Sequence, residues 1–240
     1  MAPSETPSRE VRSPQTGPHP RLLEHLARRR HASLRPPAEH TERAASAIWR
    51  VLDEAPSQPV ILDAGCGTAE SCSALAHAHP QAWILGVDQS LHRLGTEGVA
   101  RPDDRMVTAR AELGDLFRLW RVSGRRFEKV YFLYPNPWPK PEHLFRRWHG
   151  HPAFPDLLAC SAALEARSNW RIYLEEMELA LTWFLGPPEA EEPLRAVHRL
   201  PPGPPISPFE RKYARSGQAL FRLTASFDLT PPAENSGPRG

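Results

Sequence analysis

The centre of the chain alternates short apolar runs with stretches whose apolar positions recur at helical spacing. The runs that predict buried strands cover 60–62, 83–87, 106–109, 129–133 and 162–167. The helically spaced stretches cover 42–53, 71–78, 91–96, 113–122, 142–148 and 170–185. Because parallel strands need helical crossovers, this alternation predicts an α/β fold with a mostly parallel sheet and helices on both faces.

Both ends of the chain lack this order. Residues 1–20 are polar and rich in proline, and 21–30 form a short basic stretch with helical apolar spacing. We therefore expect a disordered or partly helical basic N-terminal tail over 1–40, a domain over 41–228 and a flexible C-terminal tail over 229–240.

Local signals complete the predicted outline. Thr41 precedes the first helical stretch of the domain and is expected to cap it. Segment 187–205 is typical of a long surface loop, and alternation over 218–227 indicates a last strand at the sheet edge. His149 and His151 are expected at the surface.

Composition narrows the class of protein. The net charge is only +2, so bulk charge does not indicate a polyanionic partner. Arginines gather at 21–35 and 125–147, and these could form a nucleic-acid patch or ordinary solvated surface. Three cysteines without metal-ligand spacing predict a reduced, cytoplasmic protein without a metal site. No apolar run reaches about 18 residues, so we expect no membrane span.

The first strand runs directly into a glycine-rich loop that contains Asp63, Gly65 and Gly67, and the second strand ends at Asp88. Glycines at such a turn let a ligand approach the backbone, and an acid at the second strand end can bind ribose hydroxyls. An acid before the first glycine favours S-adenosylmethionine over a dinucleotide, since this donor has no pyrophosphate to cradle. A simple tight turn is the alternative. Glu112, after the third strand, could bind the adenine amino group or merely begin a helix.

A second strand end carries a rigid polar turn. The apolar run at 130–133 ends in Tyr134-Pro-Asn-Pro-Trp-Pro-Lys140, whose three prolines forbid helix and further strand pairing. Open α/β sheets bind ligands at the carboxyl ends of their strands. We therefore expect this turn and the glycine-rich loop to share one pocket.

Together these motifs resemble those of the tRNA (guanine-N(7)-)-methyltransferases over roughly residues 60–225. The Asn-Pro-Trp turn, with His143, Arg146 and Arg147, is similar to that family's Pro-Asp-Pro-Trp-x-Lys-x-x-His-x-x-Arg-Arg signature. Ser168-Asn-Trp-x-x-Tyr173 and Ser207-Pro-Phe-Glu210, with Lys212, resemble two further blocks, and the glycine-rich loop is shared with many methyltransferases.

The resemblance implies a Rossmann-like, seven-stranded class I methyltransferase fold, S-adenosylmethionine as methyl donor and a tRNA guanine as acceptor. The sequence does not give the oligomeric state, and we favour a monomer. It implies catalytic roles for Asn136, Asn169 and Glu210. The implied donor-binding residues are Asp63, Gly65, Gly67, Asp88, Glu112 and Ser207. The implied tRNA-binding residues are Trp138, Lys140, His143, Arg146, Arg147, Tyr173 and Lys212.

Some residues depart from the family pattern. Asn136 and Asn169 stand where the family has aspartates, Lys212 replaces an arginine and Pro208 replaces a lysine. An asparagine keeps one acceptor but loses the negative charge that would stabilise a methylated, cationic purine. Two alternatives therefore stay open: a catalytically degenerate homologue that binds donor or RNA, or a methyltransferase acting on a base amino group, a small molecule or a protein.

Overall fold

Strands and helices alternate along the chain as the apolar pattern predicts. The computed structural model describes residues 7–29, 35–187 and 195–227. The strands are β1 (Val60–Ala64), β2 (Trp83–Asp88), β3 (Val99–Asp103), β4 (Met106–Arg110), β5 (Lys129–Leu133), β6 (Ala163–Ser168), β7 (His198–Arg199) and β8 (Phe221–Ser226). The helices are α1 (Leu22–Arg29), α2 (Glu39–Leu52), α3 (Glu70–Ala78), α4 (Leu91–Leu94), α5 (Leu113–Val122), α6 (Phe154–Ala159), α7 (Arg171–Leu185) and α8 (Pro208–Arg215), with 3₁₀ turns at Pro141–Arg146 and Trp148–Gly150.

The strands form one sheet in the order β3-β4-β2-β1-β5-β6-β8-β7. The four central pairings are parallel, and β3, β7 and β8 pair antiparallel at the two sides. The predicted α/β fold with a mostly parallel sheet is therefore confirmed. The described residues contain eight strands where seven were expected. No apolar run predicts β3 or β7, because β3 is largely exposed and β7 is two exposed residues.

Alternate side chains of the central strands enter two separate apolar clusters. Leu62 and Leu85 belong to a cluster with residues of α1, α2, α5, α6 and α7. Ile61 and Ile84, their neighbours along the same strands, belong to a second cluster with residues of α3 and α8. Because successive strand residues point to opposite faces, the sheet is buried on both sides, as a parallel sheet requires.

Two local predictions are corrected. The predicted helix over 142–148 is a pair of 3₁₀ turns, separated at Arg147 by extended backbone. Thr41 does not cap α2, which begins after Ala38. Its buried hydroxyl instead accepts the backbone N–H of Glu112 at 3.1 Å and so joins α2 to the start of α5.

The stretch before the domain is packed where the structure describes it. Leu22 and Leu26 of α1 are buried in the larger apolar cluster. Residues 1–6 and 228–240, which include the predicted C-terminal tail, lie outside the described residues, and the division of the chain into tails and domain stays a prediction. None of the described helices has the length and apolar character needed to cross a membrane.

Candidate active site

A cleft of about 580 Å³ opens where β1, β2, β4 and β5 end. Gly65, Asp88 and Glu112 line one part of it, and Asn136 and Trp138 line another. This confirms the prediction that the glycine-rich loop and the proline-rich turn share one pocket. We call these two parts the donor half and the acceptor half.

The glycine-rich loop uses backbone conformations that favour glycine. Gly65 has φ +84° and Gly67 has φ +60°, in the left-handed region that other residues rarely adopt. A Cβ at Gly65 would meet no atom within 4 Å, so open space adjoins this residue in the cleft. The N–H of Gly67 donates to Asp88 at 3.0 Å, which ties the loop to the end of β2.

Asp63 lies beneath this loop and is fully buried. One carboxylate oxygen accepts hydrogen bonds from Ser71 and Cys72, while the other, Oδ1, has no hydrogen-bond partner among the described residues. Burial raises the pKa of Asp63 to about 6, against the opposing effect of the Ser71 and Cys72 hydrogen bonds. A buried carboxylate with an unsatisfied oxygen suits a ligand with a cationic end.

Asp88 and Glu112 line the cleft and also accept hydrogen bonds from the protein backbone. The Asp88 carboxylate accepts the N–H of Ser90 at 2.8 Å in addition to that of Gly67, and Arg93 lies 3.6 Å away. Glu112 caps α5 by accepting the N–H of Asp115 at 2.7 Å. The prediction that Glu112 begins a helix is therefore confirmed. Glu112 also lines the cleft, and its contact with adenine stays a prediction.

The acceptor half is built on residues 134–140, which we call the acceptor loop. Tyr134 and Trp138 have φ of +56° and +44°, and such strain at non-glycine residues persists only where the surroundings impose it. Asn136 is exposed, and its Oδ1 accepts the N–H of Trp138 at 3.3 Å. The loop therefore presents an amide and an indole to the cleft.

Basic side chains, exposed or half-buried, lie beside this loop. The Arg146 guanidinium is 4.6 Å from the centroid of the Trp138 ring, and His143 meets the same ring edge-on at 5.5 Å. Lys140 and, on α8, Lys212 are also exposed. These four positively charged or ionisable side chains are accessible to an anionic partner.

Two predicted RNA contacts are corrected. Arg147 is fully buried and donates to the main-chain oxygen of Trp138 and to the carboxylate of Glu176. Tyr173 is also fully buried, and its hydroxyl accepts the N–H of Trp148 at 3.2 Å. Both side chains support the protein itself, because no surface of either is available to a substrate. His149, predicted at the surface, is buried against Glu176 at 2.9 Å.

Of the predicted donor-binding residues, Asp63 and Gly67 are not among those that line the cleft. Asn169, Ser207 and Glu210 also lie outside its lining. Asn169 donates its amide N–H to Gln218 at 2.8 Å, and Ser207 caps α8 by accepting the N–H of Glu210. The buried Glu210 carboxylate is held by Arg167, with both of its oxygens 3.0 Å from the same guanidinium nitrogen. The blocks that contain these residues shape the site, but their singled-out polar side chains are engaged elsewhere.

Sequence reasoning missed other residues of the cleft. Phe209 and Tyr213 line it from α8, and Arg93 lines it from α4. Phe209 lies between Ser207 and Glu210. The motif therefore identified a segment that reaches the cleft, but the side chains predicted from it are not the ones that line the cleft. A period of four residues, which puts Phe209 and Tyr213 on one helix face, was the available signal.

Comparison with known proteins places the chain among methyltransferases. A family model described as "Putative methyltransferase" matches residues 57–223. The tRNA (guanine-N(7)-)-methyltransferase of Halorhodospira halophila is 31% identical over 177 residues, which cover 69% of this chain and 73% of that protein. The enzyme of the same name from Magnetococcus marinus is 31% identical over 182 residues, covering 70% of this chain and 68% of that protein.

A solved structure supports the fold. The 16S rRNA methyltransferase KamB is 16% identical, with a TM-score of 0.54 over 76% of this chain and 93% of that chain. At this identity the likeness concerns the fold alone. It confirms the class I methyltransferase arrangement that the sequence motifs implied.

Proposed function

We propose that this chain, which belongs to the tRNA (guanine-N(7)-)-methyltransferase family, transfers a methyl group from S-adenosylmethionine to N7 of a guanine in tRNA. The observation that carries the proposal is the single cleft, in which Asp88 and Asn136 both lie. Because tRNA is the substrate in this proposal, we also propose that the protein is cytoplasmic.

The donor half offers suitable groups for S-adenosylmethionine. Asp88 would bind the ribose hydroxyls, and the open space beside Gly65 would admit the ligand against the backbone. Asp63, buried beneath the loop and outside the cleft lining, would favour the positive charge of the methionine end through its negative charge. The bound donor supplies an activated methyl group on a sulfonium.

The acceptor half would position the base. Guanine N7 already carries a lone pair, so no general base is required and catalysis depends on alignment at near-attack distance. Asn136 would bind the edge of the base, and Trp138 would stack on its face, which is worth about 1–3 kcal/mol. Neither residue carries the negative charge that would stabilise a cationic purine, so we expect slower transfer than with aspartate at 136.

The basic side chains beside the cleft would offer a path for the RNA backbone. Lys140, His143 and Arg146 lie beside the acceptor loop, and Lys212 lies on α8. Contacts from these side chains to phosphates would position the tRNA without reading its sequence.

The decisive experiment treats unmodified tRNA with the full chain and labelled donor, and identifies the nucleosides by mass spectrometry. We expect 7-methylguanosine, lost in Asp88→Ala and retained in Asp53→Ala, whose aspartate pairs with Arg125 on the surface. Donor binding without any methylated nucleoside would instead support the degenerate homologue. Label in a different methylated nucleoside would show that the methyl acceptor is another atom of a base.

A further inference from the structure

A short segment that precedes α1 runs against the acceptor loop. We call residues 13–19 the strap. The Ser13 hydroxyl donates to the carbonyl of Pro139 at 2.7 Å. Further along, the Gln15 amide and the His19 backbone N–H donate to the same oxygen of Glu176, at 3.0 and 2.9 Å. The strap is therefore joined to the acceptor loop and to a buried carboxylate.

That carboxylate forms a fully buried ion pair with Arg147. The guanidinium also donates to the carbonyl of Trp138, at 3.1 and 3.0 Å, and to that of Lys140 at 3.3 Å. Together with Ser13, it satisfies three successive carbonyls of the acceptor loop. A segment with three prolines has few N–H groups of its own, so these donors from outside the loop stabilise its conformation.

Gln15 is complementary to both members of the ion pair. Its Oε1 accepts from Arg147 at 2.6 Å while its Nε2 donates to Glu176 at 3.0 Å. An apolar side chain here would remove the shortest hydrogen bond of that guanidinium nitrogen, at 2.6 Å, and leave it only the carbonyls of Trp138 and Lys140 at 3.0 and 3.3 Å. Losing a hydrogen bond from a buried charged donor is costly. A carboxylate would lose the donor and place a second negative charge beside Glu176.

Resting on the function proposed above, we propose that Gln15 and Ser13 are positioning residues for methyl transfer. They act through Arg147 and Pro139 to hold the acceptor loop in its strained conformation, with φ +44° at Trp138. The loop in turn presents Asn136 and Trp138 to the cleft. A small displacement of such a loop misaligns the base relative to the methyl donor and slows transfer.

The test compares Gln15→Ala and Ser13→Ala with the wild type, all as full chains. We expect kcat for tRNA methylation to fall about tenfold in each, because alignment is lost. The Kd for S-adenosylmethionine, measured by calorimetry, should stay unchanged, since neither residue contacts the donor half. Ser13→Thr keeps the hydroxyl and should retain wild-type kcat. The matched control is Gln58→Ala, a partly buried glutamine in another cavity, which should leave both quantities unchanged.

A second measurement does not depend on activity. Hydrogen exchange of peptides that cover 134–147 should be faster in Gln15→Ala than in the wild type and unaltered in Gln58→Ala. If the wild type does not methylate tRNA, the proposed function fails, while this exchange still decides whether the strap holds the loop. Wild-type exchange in Gln15→Ala, or faster exchange with undiminished kcat, would overturn the positioning role.

Discussion

The carboxylate of Asp88 accepts the backbone N–H of Gly67 at 3.0 Å, across the boundary between two strand ends. Its second oxygen accepts the N–H of Ser90 at 2.8 Å. One side chain therefore fixes the position of the glycine-rich loop relative to β2. The shape of the donor half depends on a carboxylate with two acceptor oxygens.

Asp88→Asn should weaken donor binding. The amide replaces one acceptor oxygen by a donor, so it cannot accept both N–H groups and also lacks charge. Loss of a charge-assisted hydrogen bond costs about 1.5–3 kcal/mol, which raises the Kd for S-adenosylmethionine roughly tenfold to a hundredfold. Calorimetry measures this Kd. Asp53→Asn, on the surface, should leave it unchanged, and an equal Kd in the two variants would contradict the assignment of Asp88.

Asp63 should make the ligand-free protein less stable at neutral pH than in mild acid. Its pKa is raised from 3.8 to about 6 in the folded state, chiefly by burial. The folded state therefore binds more protons than the unfolded state between these values, and stability falls as pH rises through them. The shift corresponds to roughly 3 kcal/mol.

Chemical denaturation across pH 4–7 tests this dependence of the free energy of unfolding on Asp63. The decrease with rising pH should be smaller in Asp63→Asn, which cannot ionise. Saturating S-adenosylmethionine should also reduce the decrease in the wild type, because a nearby cationic ligand favours the ionised carboxylate. Identical pH profiles for wild type and variant would refute the raised pKa.

Glu176→Gln should destabilise the fold. The buried carboxylate is the charge partner of Arg147, and removing one member of a buried pair costs about 3–5 kcal/mol. Burial alone would raise the pKa of Glu176, but hydrogen bonds from His149 and Arg147 and the positive charge of Arg147 lower it to about 2. This stabilisation is therefore present above pH 4.5 and is lost as pH falls towards 2.

Urea denaturation at neutral pH measures the effect of Glu176→Gln. The adjacent Glu175→Gln is the control, because Glu175 forms an accessible pair with Arg171 within the same helix. Such a pair contributes about 0.3–0.5 kcal/mol. A loss no larger in Glu176→Gln than in Glu175→Gln would show that the ion pair does not anchor the fold.

Asn136→Asp should raise the rate of methyl transfer to guanine N7. A carboxylate at this exposed position could still accept the N–H of Trp138 and would add negative charge near the developing cation. Each 1.4 kcal/mol of added stabilisation raises kcat about tenfold. Asn169→Asp should give no gain, since Asn169 donates to Gln218 outside the cleft lining. Unchanged or lower turnover in Asn136→Asp would argue against guanine N7 as the acceptor.

Local sequence was most informative where function depends on the backbone or on strand order. Gly65 and Gly67 have the left-handed conformations that their place after a strand suggested. Asp88 and Asn136 could be assigned to one cleft because parallel strands put their carboxyl ends at one edge of the sheet. Side-chain direction was less predictable: Arg146 and Arg147 are adjacent in the motif, yet one is exposed and the other fully buried.

The amino-acid sequence by itself determined the α/β class, the two ligand-facing strand ends and the family, since these follow from local periodicity and contiguous motifs. Only the tertiary structure decided which motif residues face the cleft. Glu176 is one of three glutamates on α7, and it becomes the buried partner of Arg147 and Gln15 only when distant segments meet. The ion pair joins residues 29 positions apart, and the hydrogen bond from Gln15 to Glu176 joins residues 161 positions apart. No local pattern encodes such contacts.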